Sequence, residues 1–223
     1  MAIARDRILI DSIRNSARTL GIASTWVNSR RPLQLEEDFV YELYVMFEFV
    51  NDLRNTYGVR YHPGSGNKRH QFPRKPAQKR GRPKFYIIDR RNNNTLWQLC
   101  AGTKITDIVQ VMRAPDISVQ KHNASDDPIY SDVVMIWDAK YRSNNMNRIT
   151  HHEFSDFSRL IELFRLRRRS ILGSMNIITL RGMVANCIVT NGQESTEPVA
   201  ECLRVSLKEV TSFYPGILFN IKP

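Results

Sequence analysis

Three side chains in the middle of this chain have the types and spacing to do chemistry: Asp116, Asp138 and Lys140. They lie in the stretch Ala114–Arg142, APDISVQKHNASDDPIYSDVVMIWDAKYR, which reads as two strands joined by a polar loop. The first strand is Pro115–Gln120 and the second Asp132–Tyr141, the latter a run of β-branched and aromatic residues of the kind that fills a buried sheet. Side chains alternate faces along a strand, so Asp138 and Lys140 point the same way, about 7 Å apart. A hairpin pairing brings Asp116 beside them. Two carboxylates with an ammonium at the end of a hydrophobic sheet form an oxygen donor set suited to a hard divalent cation. The lysine is placed to orient a water or steady a developing negative charge. Asp132 is the competing acid. It shares a face with Asp138 but stands about 20 Å away along the strand, too far for one small site. Asp126 and Asp127, in the loop HNASDDP, read as solvated turn residues.

The elements that must position these groups follow from periodicity. Residues 35–57 read as a long helix with Phe39, Leu43, Met46, Val50 and Leu53 on an inward stripe. Glu42 falls on the edge of that stripe, where a carboxylate is half-buried and needs a partner; a salt-bridged or snorkelling glutamate is the plain alternative to a site residue. Glu36 sits at the other edge, whereas Glu37 and Glu48 fall opposite and are expected to be solvated. Residues 58–84 lose periodicity and carry glycines, prolines and many cations, with a short strand at Val59–Tyr61. Phe85–Asp89 and Thr95–Ile105 flank an Asn-rich turn and read as a hairpin that Val109–Met112 extends. Residues 150–172 read as a helix opened by a Thr150/Glu153 capping box, with Phe154, Phe157, Ile161 and Phe164 buried. His151 and His152 read as solvated residues at its start. Val184–Thr190 is a further buried strand, Pro198–Thr211 a last helix and Ile217–Ile221 an edge strand. Residues 1–34 form a separate piece, a helix of roughly helical apolar spacing ending at Gly21, expected to pack on the domain.

Composition bounds the partners. The chain has 223 residues, with 42% hydrophobic content and a net charge of +11. That suits one domain, residues 35–223, with the 1–34 extension and the basic loop 58–84 inserted. The charge favours a polyanionic partner, nucleic acid before anionic membrane. The phosphate-contact candidates are Lys79, Arg80, Arg82 and Lys84 in the loop, and Arg165 and Arg168 among the arginines of the 150–172 helix. A surface loop and a dipole-complementing helix end are the plain readings of the same charges. The segment Lys79–Lys84 also resembles the Arg-Gly-Arg-Pro core of AT-hook peptides, which lie in the minor groove. Three cysteines with wide spacing and no C-x-x-C read as buried thiols and speak against a structural zinc site. No apolar run reaches 18 residues and the N-terminus lacks a signal-peptide core, so a cytoplasmic protein is expected.

Pro115-Asp116 and Asp138-Ala139-Lys140, in order and on strands, resemble the signature of the PD-(D/E)xK nuclease superfamily. The tetrapeptide Asp-Ala-Lys-Tyr is similar to the version in nucleases of restriction systems. The resemblance covers about residues 35–220. It implies a restriction-endonuclease-like α/β/α core with a central mixed β-sheet flanked by helices. It also implies an acidic residue on the first helix, at Glu42. The implied activity is metal-dependent DNA endonuclease chemistry of restriction or defence type. Mg²⁺, or Mn²⁺ in its place, would be held by Asp116, Asp138, the Ala139 carbonyl and Glu42. Double-stranded DNA, a homodimer and a partner subunit of a restriction or antiviral system are the partners this suggests. Repair, recombination and transposon end-cleaving nucleases belong to the same superfamily, and a non-cleaving nucleic-acid-binding module is the reading of another class.

Overall fold

The structure is a computed structural model that describes residues 2–22, 37–166 and 186–222. Its centre is a mixed eight-stranded sheet. The strands are β1 (Gly58–His62), β2 (Lys84–Ile88), β3 (Thr95–Ala101), β6 (Ile117–Lys121), β7 (Val133–Lys140), β8 (Asn186–Thr190), β9 (Leu207–Thr211) and β10 (Asn220–Lys222), side by side in that order. β1, β2, β3, β6 and β7 form an antiparallel meander, β7, β8 and β9 run parallel, and β10 returns antiparallel at the edge. A separate two-stranded ribbon joins β4 (Ile105–Thr106) to β5 (Met112–Arg113). Val109 and Val111 are exposed in the turn between them, so this segment forms its own hairpin instead of lengthening the sheet.

Among the described residues there are four α-helices: α1 (Ala2–Thr19), α2 (Glu37–Thr56), α3 (His151–Leu163) and α4 (Val199–Val205). Alternate residues of the strands feed two cores. Phe85, Leu99, Ile117, Met135, Trp137 and Val189 pack with α1 and α2. Val133, Ile136, Ile188 and Leu207 pack with α3 and α4. Helices therefore cover both faces. α2 is buried on more than one side, because α1 lies against the face that periodicity leaves to solvent. Glu48 is accordingly half-buried and accepts a hydrogen bond from Ser16 Oγ at 3.3 Å, contrary to its expected solvation. The tie between α2 and the sheet is aromatic: Phe49 stacks on Trp137 with centroids 4.2 Å apart.

Two element boundaries differ from the periodic reading. The capping box at Thr150 forms, but α3 ends at Leu163 and Arg165 turns left-handed with φ 54°. The helix expected over 198–211 ends at Val205, where Ser206 takes φ 58° and the chain enters β9. Leu203, expected inward, is 62% exposed. Seven residues of helix followed by a strand let Leu207 and Val210 pair beside β8, where both are buried. All three cysteines are buried and free. No helix among the described residues is long and apolar enough to cross a membrane.

The Phe49–Trp137 stack fixes the helix that carries Glu42 against the strand that carries Asp138. Phe49→Ala should cost about 3–5 kcal/mol in urea denaturation, the range for an aromatic removed from a close-packed core. A cost below about 1 kcal/mol would show that the stack does not hold α2 in place.

Candidate active site

The site is built where β6 and β7 pair. Ile117 lies opposite Trp137, so the residues just outside, Asp116 and Asp138, face each other across the ladder. Both point to the face opposite α2, because Ile117, Trp137 and Ala139 take the α2 face. The two carboxyls come within hydrogen-bonding reach, and Glu42 of α2 is close enough to add its charge. Asp116 Oδ2 also accepts the Ala139 N–H at 2.8 Å, which fixes the carboxyl against the strand. Lys140 Nζ stands 2.8 Å from Asp138 Oδ2, and Thr190 Oγ1 donates to the Lys140 carbonyl at 2.7 Å. Asp132 is elsewhere: its Oδ2 accepts the Ile129 N–H at 3.0 Å and closes the turn before β7.

The electrostatics follow from crowding acids around Asp116 and Lys140. Burial, then the charge of Asp138, then that of Glu42, raises the pKa of Asp116 well above the carboxylate range. Burial works against the charge of Lys140, but the carboxylates of Asp138 and Asp116 outweigh it and raise its pKa, so the ammonium persists. Among the described residues no three His, Cys, Asp or Glu side chains stand in ready-made metal-ligand geometry.

Periodicity misses what surrounds the acids. Arg142 follows Asp138 and Lys140 in the same alternation. Its backbone N–H donates to Asn191 Oδ1 at 2.6 Å, and Asn191 Nδ2 donates to its carbonyl at 2.8 Å. Its guanidinium pairs with Glu153, which also accepts from the Thr150 N–H and O–H at 2.9 Å each. Burial pushes Glu153 up, but Arg142 and Thr150 outweigh that and hold it below its usual range. A Cβ on Gly192 would overlap the Asn147 carbonyl oxygen and sit 2.8 Å from Arg142 Cγ, so this close approach needs glycine. The alternation through residue 142 and the Thr150/Glu153 capping box were the local signals; Glu153 lies 11 residues on and reads only as a capping residue, and Asn191, 49 residues away, leaves no signal.

The basic candidates divide. Lys79 is buried, with only 2% exposure. Its Nζ donates to Gln120 Oε1 at 3.0 Å and to the Ala124 and Ser125 carbonyls at 2.9 Å each. It is a staple between the basic loop and the β6–β7 loop, which corrects its reading as a phosphate contact: all three N–H groups have acceptors inside. Arg80 is exposed and stands 3.6 Å from Asp126. Arg82 is half-buried and donates to the Gln71 carbonyl at 3.3 Å. Lys84 is half-buried beside Tyr86. Arg165 is exposed, its guanidinium carbon 5.6 Å from the Tyr130 ring centroid. Arg168 lies outside the described residues. His151 and His152 are exposed and pair with Glu197 and Asp156.

Two outcomes test this geometry. Because the folded pKa of Asp116 is raised, this residue binds more proton in the native state than in the unfolded chain, and its own contribution to stability falls as pH rises above about 4. Asp116→Asn keeps the acceptor for Ala139 N–H and removes the charge. In EDTA it should melt higher than wild type at pH 7.5, with the gain shrinking to nothing near pH 4; a lower melting point at pH 7.5 contradicts the crowding. Separately, Lys79→Met should cost about 1–3 kcal/mol by leaving buried acceptors unpaired, while Arg80→Met should stay within about 0.5 kcal/mol. Equal costs in urea titrations would rule out the staple.

No protein-family model, curated protein or solved structure matches the chain, so the chemistry of this cluster is the guide to its use.

Proposed function

We propose that the chain is a metal-dependent DNA endonuclease of restriction-endonuclease-like fold, acting in restriction or defence. The observation that carries this reading is the pair Asp116 and Asp138, facing each other at the ends of β6 and β7 with Lys140 two residues further on. The donor set fits a hard divalent cation. Two crowded carboxylates, one with its pKa raised by burial and then by the charge of the other, are a place where positive charge is favoured. Asp116, Asp138 and the Ala139 carbonyl would hold the ion, with Glu42 adding negative charge from α2. When bound, Mg²⁺ or Mn²⁺ supplies charge neutralisation to a phosphodiester and acidity to a water.

The chain's own groups do the rest. The Ala139 N–H keeps Asp116 in one rotamer. Asp138 holds the Lys140 ammonium, and the acids keep that lysine protonated. Its ammonium serves as a hydrogen-bond donor that positions the attacking water and steadies charge on the phosphoryl oxygens. Thr190 and the Asn191 clamp hold the strand end from the β8 side. Such preorganisation matters because a shift of about 1 Å at a reacting group costs rate steeply. Among the described residues there is one such cluster, so cutting both strands of a duplex calls for two copies acting together.

The test is cleavage of supercoiled plasmid with Mg²⁺ or Mn²⁺, with EDTA as the control. Asp138→Ala and Lys140→Ala should each lower the rate by at least about 100-fold, the scale of lost acid–base or electrostatic assistance, while melting like folded protein. A wild-type chain that binds DNA but cuts no DNA or RNA under any of these ions leaves the non-cleaving module as the function.

A further inference from the structure

The sheet face that carries Asp116, Asp138 and Lys140 continues past the acids to the far edge. Val59 and Tyr61 of β1, Phe85 and Ile87 of β2 and Leu99 of β3 pack toward α2. By alternation, Arg60 and His62, then Lys84 and Tyr86, then Gln98 and Cys100 lie on the same face as the acids. β2 is three strands from β7 in the sheet, about 14 Å at the usual strand spacing.

At this edge the cations are organised around one ring. The Arg60 guanidinium carbon lies 5.4 Å and Lys84 Nζ 5.6 Å from the Tyr86 centroid. His62 packs edge-on to the same ring at 5.9 Å. Cation–π attraction holds both side chains in place at little entropic cost. Among the described residues neither Arg60 nor Lys84 has a carboxylate at salt-bridge distance. The Gly64 N–H donates to His62 Nδ1 at 3.1 Å, so the neutral imidazole carries its proton on Nε2 and offers one further donor. Two cations and a donor set without internal counter-charge, on the face that leads to an acidic site, match a polyanion.

We propose that β1 and β2 are a docking strip for the sugar–phosphate backbone of duplex DNA. Arg60 and Lys84 meet phosphates, and His62 adds a neutral donor beside them. Tyr86 already engages two cations and an imidazole, so it is not the open stacking platform that single-stranded bases need. The basic loop covers β3 and β6 between the strip and the acids, with Gln98, Ser118 and Gln120 buried beneath it; the span from β2 to β7 matches about four base-pair rises of 3.4 Å, so a duplex crossing over that loop reaches from the strip toward the acids. The direction of this track rests on the nuclease reading; the binding itself does not.

The test uses the full chain in EDTA and fluorescence anisotropy with a 30-base-pair duplex (a length chosen to exceed the strip), the matching single strand and an RNA duplex, each across a salt series. Arg60→Gln/Lys84→Gln should weaken duplex DNA binding by about tenfold at 0.1 M salt and flatten the log–log salt slope by about 2, one unit per lost phosphate contact. Arg18→Gln, an exposed cation of α1, should do neither, and all variants should melt together. The strip is refuted if the double variant behaves like Arg18→Gln, or if the wild type prefers the single strand or RNA to duplex DNA. Strip-dependent binding in EDTA without cleavage in Mg²⁺ or Mn²⁺ would uphold the strip and remove the nuclease. Cleavage with unchanged binding by the double variant would do the reverse.

Discussion

Everything at the candidate site depends on the register of β6 against β7. With Ile117 opposite Trp137, Asp116 and Asp138 meet at the strand ends and Lys140 lies beside them. A slip of one residue would turn Asp138 and Lys140 toward α2 and expose Trp137 on the other face, because strand side chains alternate with period two. The slip is resisted by hydrophobic burial, not by the acids, which oppose their own approach. Trp137, Met135 and Ile117 are all at or below 1% exposure, and Phe49 of α2 stacks on the tryptophan. A close-packed core thus forces like charges together. It can do so because burying one large apolar side chain contributes about 1.5–3 kcal/mol.

The other half of the same face solves a different problem. Outside the cover of α3 and α4, Gln98, Ser118 and Gln120 point away from α2, and a polar row of this kind must be both covered and satisfied. Lys79 reaches it from the basic loop and binds Gln120. Gln98 Nε2 donates to the His122 carbonyl at 2.6 Å, and Gln120 Nε2 donates to Ser118 Oγ at 3.0 Å. Burial lowers the pKa of Lys79, yet the charge has three acceptors, so the staple orders a loop that otherwise has little regular structure. The loop also pairs with the sheet end: Ala77 N–H donates to the Gly102 carbonyl, and Gly102 N–H to the Asp116 carbonyl, at 3.0 and 2.8 Å. A cationic loop is thereby tied to the strand that carries an acid of the site.

A comparable network closes the opposite edge. Glu209, fully buried, accepts from Ser195 N–H at 2.9 Å and pairs with Lys222 at 3.4 Å, while Lys222 also donates to the Ser195 carbonyl at 3.1 Å. This holds β10 and the loop after β8 onto β9. Removing one partner of such a pair would leave an uncompensated buried charge, whereas the intact pair contributes little net stability. Its effect is to fix which segments meet at this edge of the sheet.

Periodicity was enough for the central hairpin, the β2–β3 hairpin, the long helix and the capped helix, because each has a strong local pattern: alternation, an Asn-rich turn, a stripe of period 3.6, a Thr150/Glu153 box. The approach of Asp116 to Asp138 was legible because a hairpin is a local pairing with a register set by its own apolar residues. Three things were not. Glu48 lost its solvent face because α1 packs there, and a helix stripe does not say what else will cover it. Lys79 reads like its cationic neighbours, since only the loop's course decides which lysine meets Gln120 and two carbonyls. The end of α4 at Ser206 depended on β8 offering an edge for Leu207–Thr211, a contact made by strands far apart along the chain. The sequence alone determined which residues have the chemistry. Tertiary packing decided which of them meet, because burial and hydrogen-bond partners are properties of neighbours in space.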